Sequence, residues 1–388
     1  MYQGHAGILK YADCRASFLD GDGDSQANEM MFRECLPRNR FAALALILGL
    51  IAPGCVSTPG KILRRRGDEI VVAGQLLHTG TRVVLWGDPG GFDAYRVERR
   101  FAPWPQADWE NSRTHLALPR TPNRYSVRTN GLNQAELERV RGGGWDLASL
   151  RKQVDQLVLH YDVAGTSRAC FQTLQDERDL STHFLLDLDG TIYQTLDVKE
   201  RARHATTSND RSVGVEIANV GAYAENQTNP FARWYRTDGR GRTILTIPGG
   251  GAPAERTANF AGRPVRRGVV AGEVQGEPLR QYDFTAQQYR ALARLTAALC
   301  TVLPKIRCDY PRDASGKLAG GKLAEAQLNS FHGVLGHYHI QTDKVDPGPA
   351  LQWDYVIGEA RRLMKLPVLA KDAQGRPMGW RPKLIKDN

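Results

Sequence analysis

The chain has 388 residues, 41% of them hydrophobic, 24% charged and 8% aromatic, a composition too apolar for a disordered chain and rich enough to bury a core. Its 39 glycines follow no Gly-X-Y period, which excludes a collagen-like rod, and no apolar run reaches the roughly 18 residues that a membrane-spanning helix needs. With a formal net charge of +10, the chain is drawn to polyanions by long-range fields.

The longest apolar run, Phe41 to Ala52, follows Arg33, Arg38 and Arg40 and has the size of a signal-peptide core. Residues 1–29 are acidic and fit no targeting pattern, so the start is expected at Met30 or Met31. The run ends in Ala52-Pro53-Gly54-Cys55, which resembles the lipobox of bacterial lipoproteins. That resemblance implies acylation of the Cys55 thiol and a lipid-anchored periplasmic protein. Val56 stands where an aspartate would retain it at the inner membrane, so the outer membrane is favoured. Residues 1–54 carry 5 Lys/Arg and 6 Asp/Glu, so cleavage would leave 47 basic against 36 acidic residues, net +11. Export makes the anionic cell wall the expected polyanion, and no nucleic-acid partner is expected. Beside Cys55 only Cys170, Cys300 and Cys308 remain, enough for at most one disulfide, and no C-x-x-C pair suggests a cysteine-rich zinc site.

The expected organisation is an extension and signal segment (1–54), a linker and β-rich extension (55–145), an α/β catalytic region (146–368) and a tail (369–388). From Glu69 to Phe101 short β-branched runs alternate with Gly-rich turns. Asn133 with Glu136 forms a capping box for a short helix. Asp146 caps a second helix, with Leu147, Leu150, Val154 and Leu157 at helical spacing, and Leu157 to Tyr161 also reads as a buried strand. Asp189-Gly190 joins two strands in a hairpin, and Val213 to Ala218 is another strand. Thr285 and Gln288 cap a long amphipathic helix, and a last helix runs from about Trp353 to Leu363. Residues 228–280 hold nine glycines and nine arginines against four acids, a basic insertion that reads either as a loop against the substrate or as a disordered excursion.

Three places could carry chemistry. His160 closes the apolar strand QLVLH, where a lone histidine is more often structural than a ligand. GHYHIQTDKVDPGP places His337, His339, Asp343, Lys344 and Asp346 around a turn. Two imidazoles and a carboxylate are a normal catalytic zinc set with one position left for water, although such a cluster is also what a polar surface loop can carry. In SVGVEIA, alternation sends Val213, Val215 and Ile217 to one face and Glu216 to the other, between Gly214 and Ala218. There it either faces solvent or points into a cleft with room for a substrate.

The ordered motifs LVLHYD, STHFLLDLDGTIYQTLD, RARHATTSNDRSVGVEIAN and GVLGHYHIQTDKVDPGPALQW closely resemble the zinc-dependent N-acetylmuramoyl-L-alanine amidases of the type 2 family, related to peptidoglycan recognition proteins. The resemblance covers roughly Leu157 to Trp353 and leaves residues 56–145 outside it. It implies an α/β (α+β) fold, a mixed central sheet flanked by helices, preceded by the small β-rich extension. It implies Zn2+ held by His160, His337 and Asp346, Glu216 as general base and Lys344 at the oxyanion. It also places His204, Asn209 and Arg203 along the groove. Arg203 replaces the family's usual tryptophan, His339 stands where an acid is common, and Thr182 stands where some phage members have tyrosine. The implied reaction is hydrolysis of the amide between N-acetylmuramic acid and L-alanine in peptidoglycan or muropeptides, by a monomer. The rival reading is a non-catalytic wall-binding module of the same fold; members of that class typically lack a metal ligand, whereas all three candidates stand here.

Overall fold

The computed structural model describes residues 58–108, 110, 123–141, 143–253 and 255–366. The signal segment, Cys55 and the 369–388 tail therefore lie outside the described residues. Two units divide the chain: Met1–Leu63, and Arg64–Asn388, which contains everything considered below.

The second unit opens with strands β1 (Glu69–Val72) and β2 (Gln75–His78), an antiparallel hairpin, then β3 (Val83–Leu85) and β4 (Tyr125–Ser126). Helices α1 (Gln134–Arg141) and α2 (Leu147–Gln153) follow, then β5 (Gln156–Tyr161) and α3 (Ser167–Gln172). Next come β6 (Phe184–Leu186), β7 (Ile192–Gln194), β8 (Arg201–Ala202), β9 (Ser212–Ile217) and β10 (Ala222–Tyr223). The basic insertion supplies α4 (Phe231–Trp234), β11 (Tyr235–Thr237), β12 (Thr243–Thr246), β13 (Ala261–Gly262), β14 (Val269–Val274) and β15 (Glu277–Tyr282). The chain closes with α5 (Ala286–Val302), α6 (Glu325–Ser330), β16 (Gly333–Gly336) and α7 (Trp353–Leu363).

The central sheet is mixed, in the order β16-β5-β9-β6-β7-β3. Its first four strands are parallel, and β7 returns antiparallel to β6 through the Asp189-Gly190 turn. Gly190 sits there at φ +84°, and a side chain would meet the Gln287 backbone. The edge strand β3 comes from the β-rich extension and pairs parallel with β7, so that extension is part of the sheet.

Alternation sorts the sheet's two faces. Leu157, Leu159, Val213, Val215, Ile217, Phe184 and Leu186 pack into one large cluster with Leu292, Leu295 and Leu299 of α5 and Val356 and Ile357 of α7. Helix α5 starts where Thr285 and Gln288 cap each other reciprocally, as their spacing predicts. The other face holds smaller clusters around Val158 and Leu335 and around Leu185 and Tyr193, and it carries His160, Gly214 and Glu216. Two expectations change. Helix α2 ends at Gln153, and Leu157 belongs to β5, because Val154 is already extended and the next residues enter the sheet. The 228–280 insertion is neither a plain loop nor an excursion: β11, β12 and β13 form one antiparallel sheet, and β14 and β15 form a hairpin joined to β10.

Candidate active site

Strand register brings the candidate ligands together. In the parallel pair β16–β5, Gly336 lies opposite Leu159, so His337, the first residue after β16, comes beside His160 of β5. Asp346 returns to the same point from the loop after His337. His160 Nδ1 lies 3.1 Å from His337 Nδ1 and 2.8 Å from Asp346 Oδ2, and His337 Nδ1 lies 3.0 Å from that oxygen. All three residues are buried.

Whether this set suits a zinc ion is decided by donor chemistry. Two imidazole nitrogens and one carboxylate oxygen, mutually about 3 Å apart, are the donor types and spacing that a tetrahedral ion with an open fourth position requires. The outer ring nitrogens are also engaged. His160 Nε2 lies 3.1 Å from His204 Nδ1, and His204 Nε2 lies 3.3 Å from Ser212 Oγ. His337 Nε2 lies 2.8 Å from Gln341 Oε1. One assignment of protons satisfies the chain: His160 donates to His204, His204 to Ser212 and His337 to Gln341, leaving both inner nitrogens as acceptors. Burial, then the neighbouring His337, lowers the His160 pKa and favours its neutral form. Burial alone would raise the Asp346 carboxyl; the adjacent His160 and His337 rings outweigh it and hold its pKa well below the usual range.

Glu216 lies opposite His160 in the β5–β9 register. It is half-buried, lines the cleft and has no hydrogen-bond donor among the described residues. Burial, then the Asp346 carboxylate, holds its pKa well above the ordinary glutamate value. Its small neighbour Gly214 has a separate reason: a Cβ there would come 2.7 Å from the His204 ring, which packs flat on that strand position.

The cleft has a volume of about 460 Å³ and is lined by His160, Glu216, Arg203, His204, Lys344 and Arg178, among others. Asn209 lines it too, and its Oδ1 accepts from the backbone N–H groups of His204 (3.0 Å) and Ala205 (2.6 Å), fixing the loop that holds the His204 ring. Arg203 makes the wall less cationic than its replacement of tryptophan suggests, because its Nη1 is 2.7 Å from Asp179 Oδ2. Lys344 Nζ pairs with Asp343 at 2.9 Å on the rim.

His339 does not join the cluster: it accepts from Gly336 N–H at 2.8 Å and meets the Ala319 carbonyl at 2.9 Å. His183 is buried within the sheet, accepts from Gly214 N–H at 3.0 Å and lies 3.2 Å from the Arg128 guanidinium. Sequence reasoning missed Gln341, whose only signal is its place one helical turn beyond His337, and Arg178, which carries no motif.

The fold and the cleft together define a class: an α/β protein with a three-donor cluster able to hold a metal ion, faced by an isolated acid. Residues 150–349 match the family model described as N-acetylmuramoyl-L-alanine amidase, Amidase_2, and the chain belongs to that type 2 family. No curated protein matches it. Among solved structures it is similar to a selenomethionine AmpD derivative, at 18% identity and TM-score 0.28 over 62% of this chain and 89% of that one. It is also similar to the amidase AmiD from E. coli, solved with anhydro-N-acetylmuramic acid-L-Ala-D-gamma-Glu-L-Lys. There the identity is 18% and the TM-score 0.29, over 57% of this chain and 61% of that one. A third is the amidase LysC from Clostridium intestinale URNW, at 12% identity and TM-score 0.26 over 56% and 89%. At such scores these likenesses carry no weight beside the family match.

Proposed function

We propose that the protein is a zinc-dependent hydrolase that cleaves the amide between the lactyl group of N-acetylmuramic acid and the L-alanine of the stem peptide. The observation that carries this reading is the convergence of His160 Nδ1, His337 Nδ1 and Asp346 Oδ2 within 3.1 Å of one another, in a cleft faced by Glu216. Zinc held there supplies Lewis acidity toward the amide carbonyl and toward water. Glu216, with no competing donor, accepts a proton from the attacking water as the carbon–oxygen bond forms. It then delivers that proton to the alanine nitrogen as the carbon–nitrogen bond breaks. Lys344 at the rim presents positive charge to the carbonyl oxygen as negative charge develops. The products are the lactyl carboxylic acid and a free stem peptide.

His204 and Asn209 act behind the ligands: Asn209 sets the loop and His204 orients His160. Arg203 and Arg178 line the groove along which an anionic peptide would lie. The apolar segment 41–52 and Cys55 support a lipid-anchored periplasmic location, with the protein acting as a monomer. Digestion of purified sacculi and, separately, of anhydro-muropeptides tests the reading. The zinc-replete protein releases free stem peptides from one or both, and His337→Ala releases none. Binding to sacculi with no release by either protein contradicts the proposal and makes the chain a wall-binding module.

A further inference from the structure

The insertion reaches the metal loop through the side chain of Gln275. Strands β14 and β15 meet in a two-residue turn, Gln275-Gly276, closed by the Val274–Glu277 pair. Both turn residues lie at positive φ, +59° and +77°, the geometry that suits the twist of a hairpin and favours Asn-Gly. Glutamine is a poor choice for the turn itself. Its side chain turns away from the hairpin into the loop that separates two of the three candidate ligands. Gln275 Nε2 donates to the carbonyls of Gln341 (2.6 Å), Lys344 (3.1 Å) and Tyr338 (3.2 Å), all between His337 and Asp346. Its Oε1 accepts from Lys322 N–H at 3.1 Å, and its own N–H donates to the Gly320 carbonyl at 2.7 Å. Gln281 of β15 continues the contact beyond Asp346. Its Nε2 donates to the Pro347 carbonyl at 3.1 Å, and its Oε1 accepts from Ala350 N–H at 2.9 Å.

Within the loop from His337 to Asp346, the backbone amides of Ile340 and Gln341 bond back to the His337 carbonyl, and Tyr338 N–H reaches the Asp346 carbonyl. Three further carbonyls of the loop, those of Tyr338, Gln341 and Lys344, are gathered by one amide from outside it. We infer that Gln275 is a positioning residue: it fixes the loop so that His337, Asp346 and Lys344 are already placed when the metal arrives. The basic insertion would then serve as a brace for the metal loop. The inference rests on the zinc reading for its function, whereas the brace itself is independent of it.

Gln275→Asn tests it on the full chain. Asparagine keeps the amide and suits the turn better, so a purely structural role predicts an unchanged or more stable protein. It is one methylene too short to reach the three carbonyls. The expected result is about a tenfold to hundredfold loss of zinc affinity, measured by competition with a chromophoric chelator. A similar fall in kcat is expected, with KM within about twofold and the urea midpoint of the metal-free protein unchanged or higher. Zinc affinity and kcat equal to the parent's would overturn the inference. Amide hydrogen exchange on the metal-free parent supplies a readout that needs no variant and no zinc. Protection of residues 338–346 before metal is added supports the brace, and exchange at the rate of an unstructured segment overturns it. A parent that binds no zinc but shows that protection refutes the zinc reading and leaves the brace standing.

Discussion

Among the described residues, two groups of side chains bring histidine and carboxylates within 4.8 Å of one another, and they differ in what occupies their lone pairs. At the β1–β2 hairpin, Asp68, Glu69 and His78 meet at the surface. Glu69 Oε1 accepts from Arg66 N–H, and its Oε2 accepts from the N–H groups of Gly67 and Asp68. Asp68 pairs with His78 at 2.8 Å and accepts from Gly80 N–H at 3.1 Å. Those oxygens are spent on holding the backbone around the hairpin. In the cleft, the inner nitrogens of His160 and His337 meet only each other and Asp346, while their outer nitrogens are held by His204 and Gln341. Closeness of ligand types is shared; free inner lone pairs and fixed outer ones are not, and the second condition is what a metal centre requires.

The sharpest way to break the comparison is to remove one histidine from each group. His337→Ala should abolish stoichiometric zinc binding and bring stem-peptide release to background. His78→Ala should leave one zinc per chain and full activity, with stability changed by no more than about 1 kcal/mol, as for an exposed ion pair. Loss of the zinc with His78→Ala would transfer the centre to the hairpin. Next in size, Glu216→Gln should lower kcat by about 10²–10⁴-fold while zinc remains bound, the range for a positioned proton acceptor; a variant with parental kcat would remove Glu216 from the chemistry. Gln341→Ala should weaken zinc by about 10–100-fold through loss of the His337 orientation, and unchanged affinity would show that the ring is held by packing alone.

The smallest effect concerns stability. Burial, then the Arg128 cation, depresses the His183 pKa to about 3 from 6.5, so the folded protein holds this ring neutral. Its contribution is complete above pH 6.5 and is lost as pH falls toward 3, up to about 5 kcal/mol at the acid end. Urea unfolding between pH 7.5 and 4 should therefore show falling stability, with a shallower slope in His183→Gln. Equal slopes in the two proteins would mean that the buried ring is not what makes the fold acid-labile.

Much of the sheet was legible because its signals are local. The Val213, Val215, Ile217 alternation placed Glu216 on the face away from α5, and the Thr285–Gln288 spacing fixed where α5 begins. Asp189-Gly190 marked the β6–β7 turn. The insertion was illegible for a physical reason: along β15 only Leu279 and Gln281 are buried, so EPLRQY shows no apolar alternation, and Gln275-Gly276 is not a common turn pair. The β3–β7 pairing and the Gln275 contacts join residues some 60–110 positions apart, which no local period reveals. Leu157 satisfied both a helical and a strand spacing, and the sheet partner decided between them. At the site, the motif resemblance named the three candidate ligands, but only the folded register shows which nitrogen of each ring faces inward.

Anomalous scattering at the zinc edge, from crystals of the zinc-replete protein, tests the central claim most directly. The account predicts one strong peak bonded to His160 Nδ1, His337 Nδ1 and Asp346 Oδ2, with Glu216 facing its open side. A cleft without a peak, or a peak at Asp68, Glu69 and His78 instead, would contradict it.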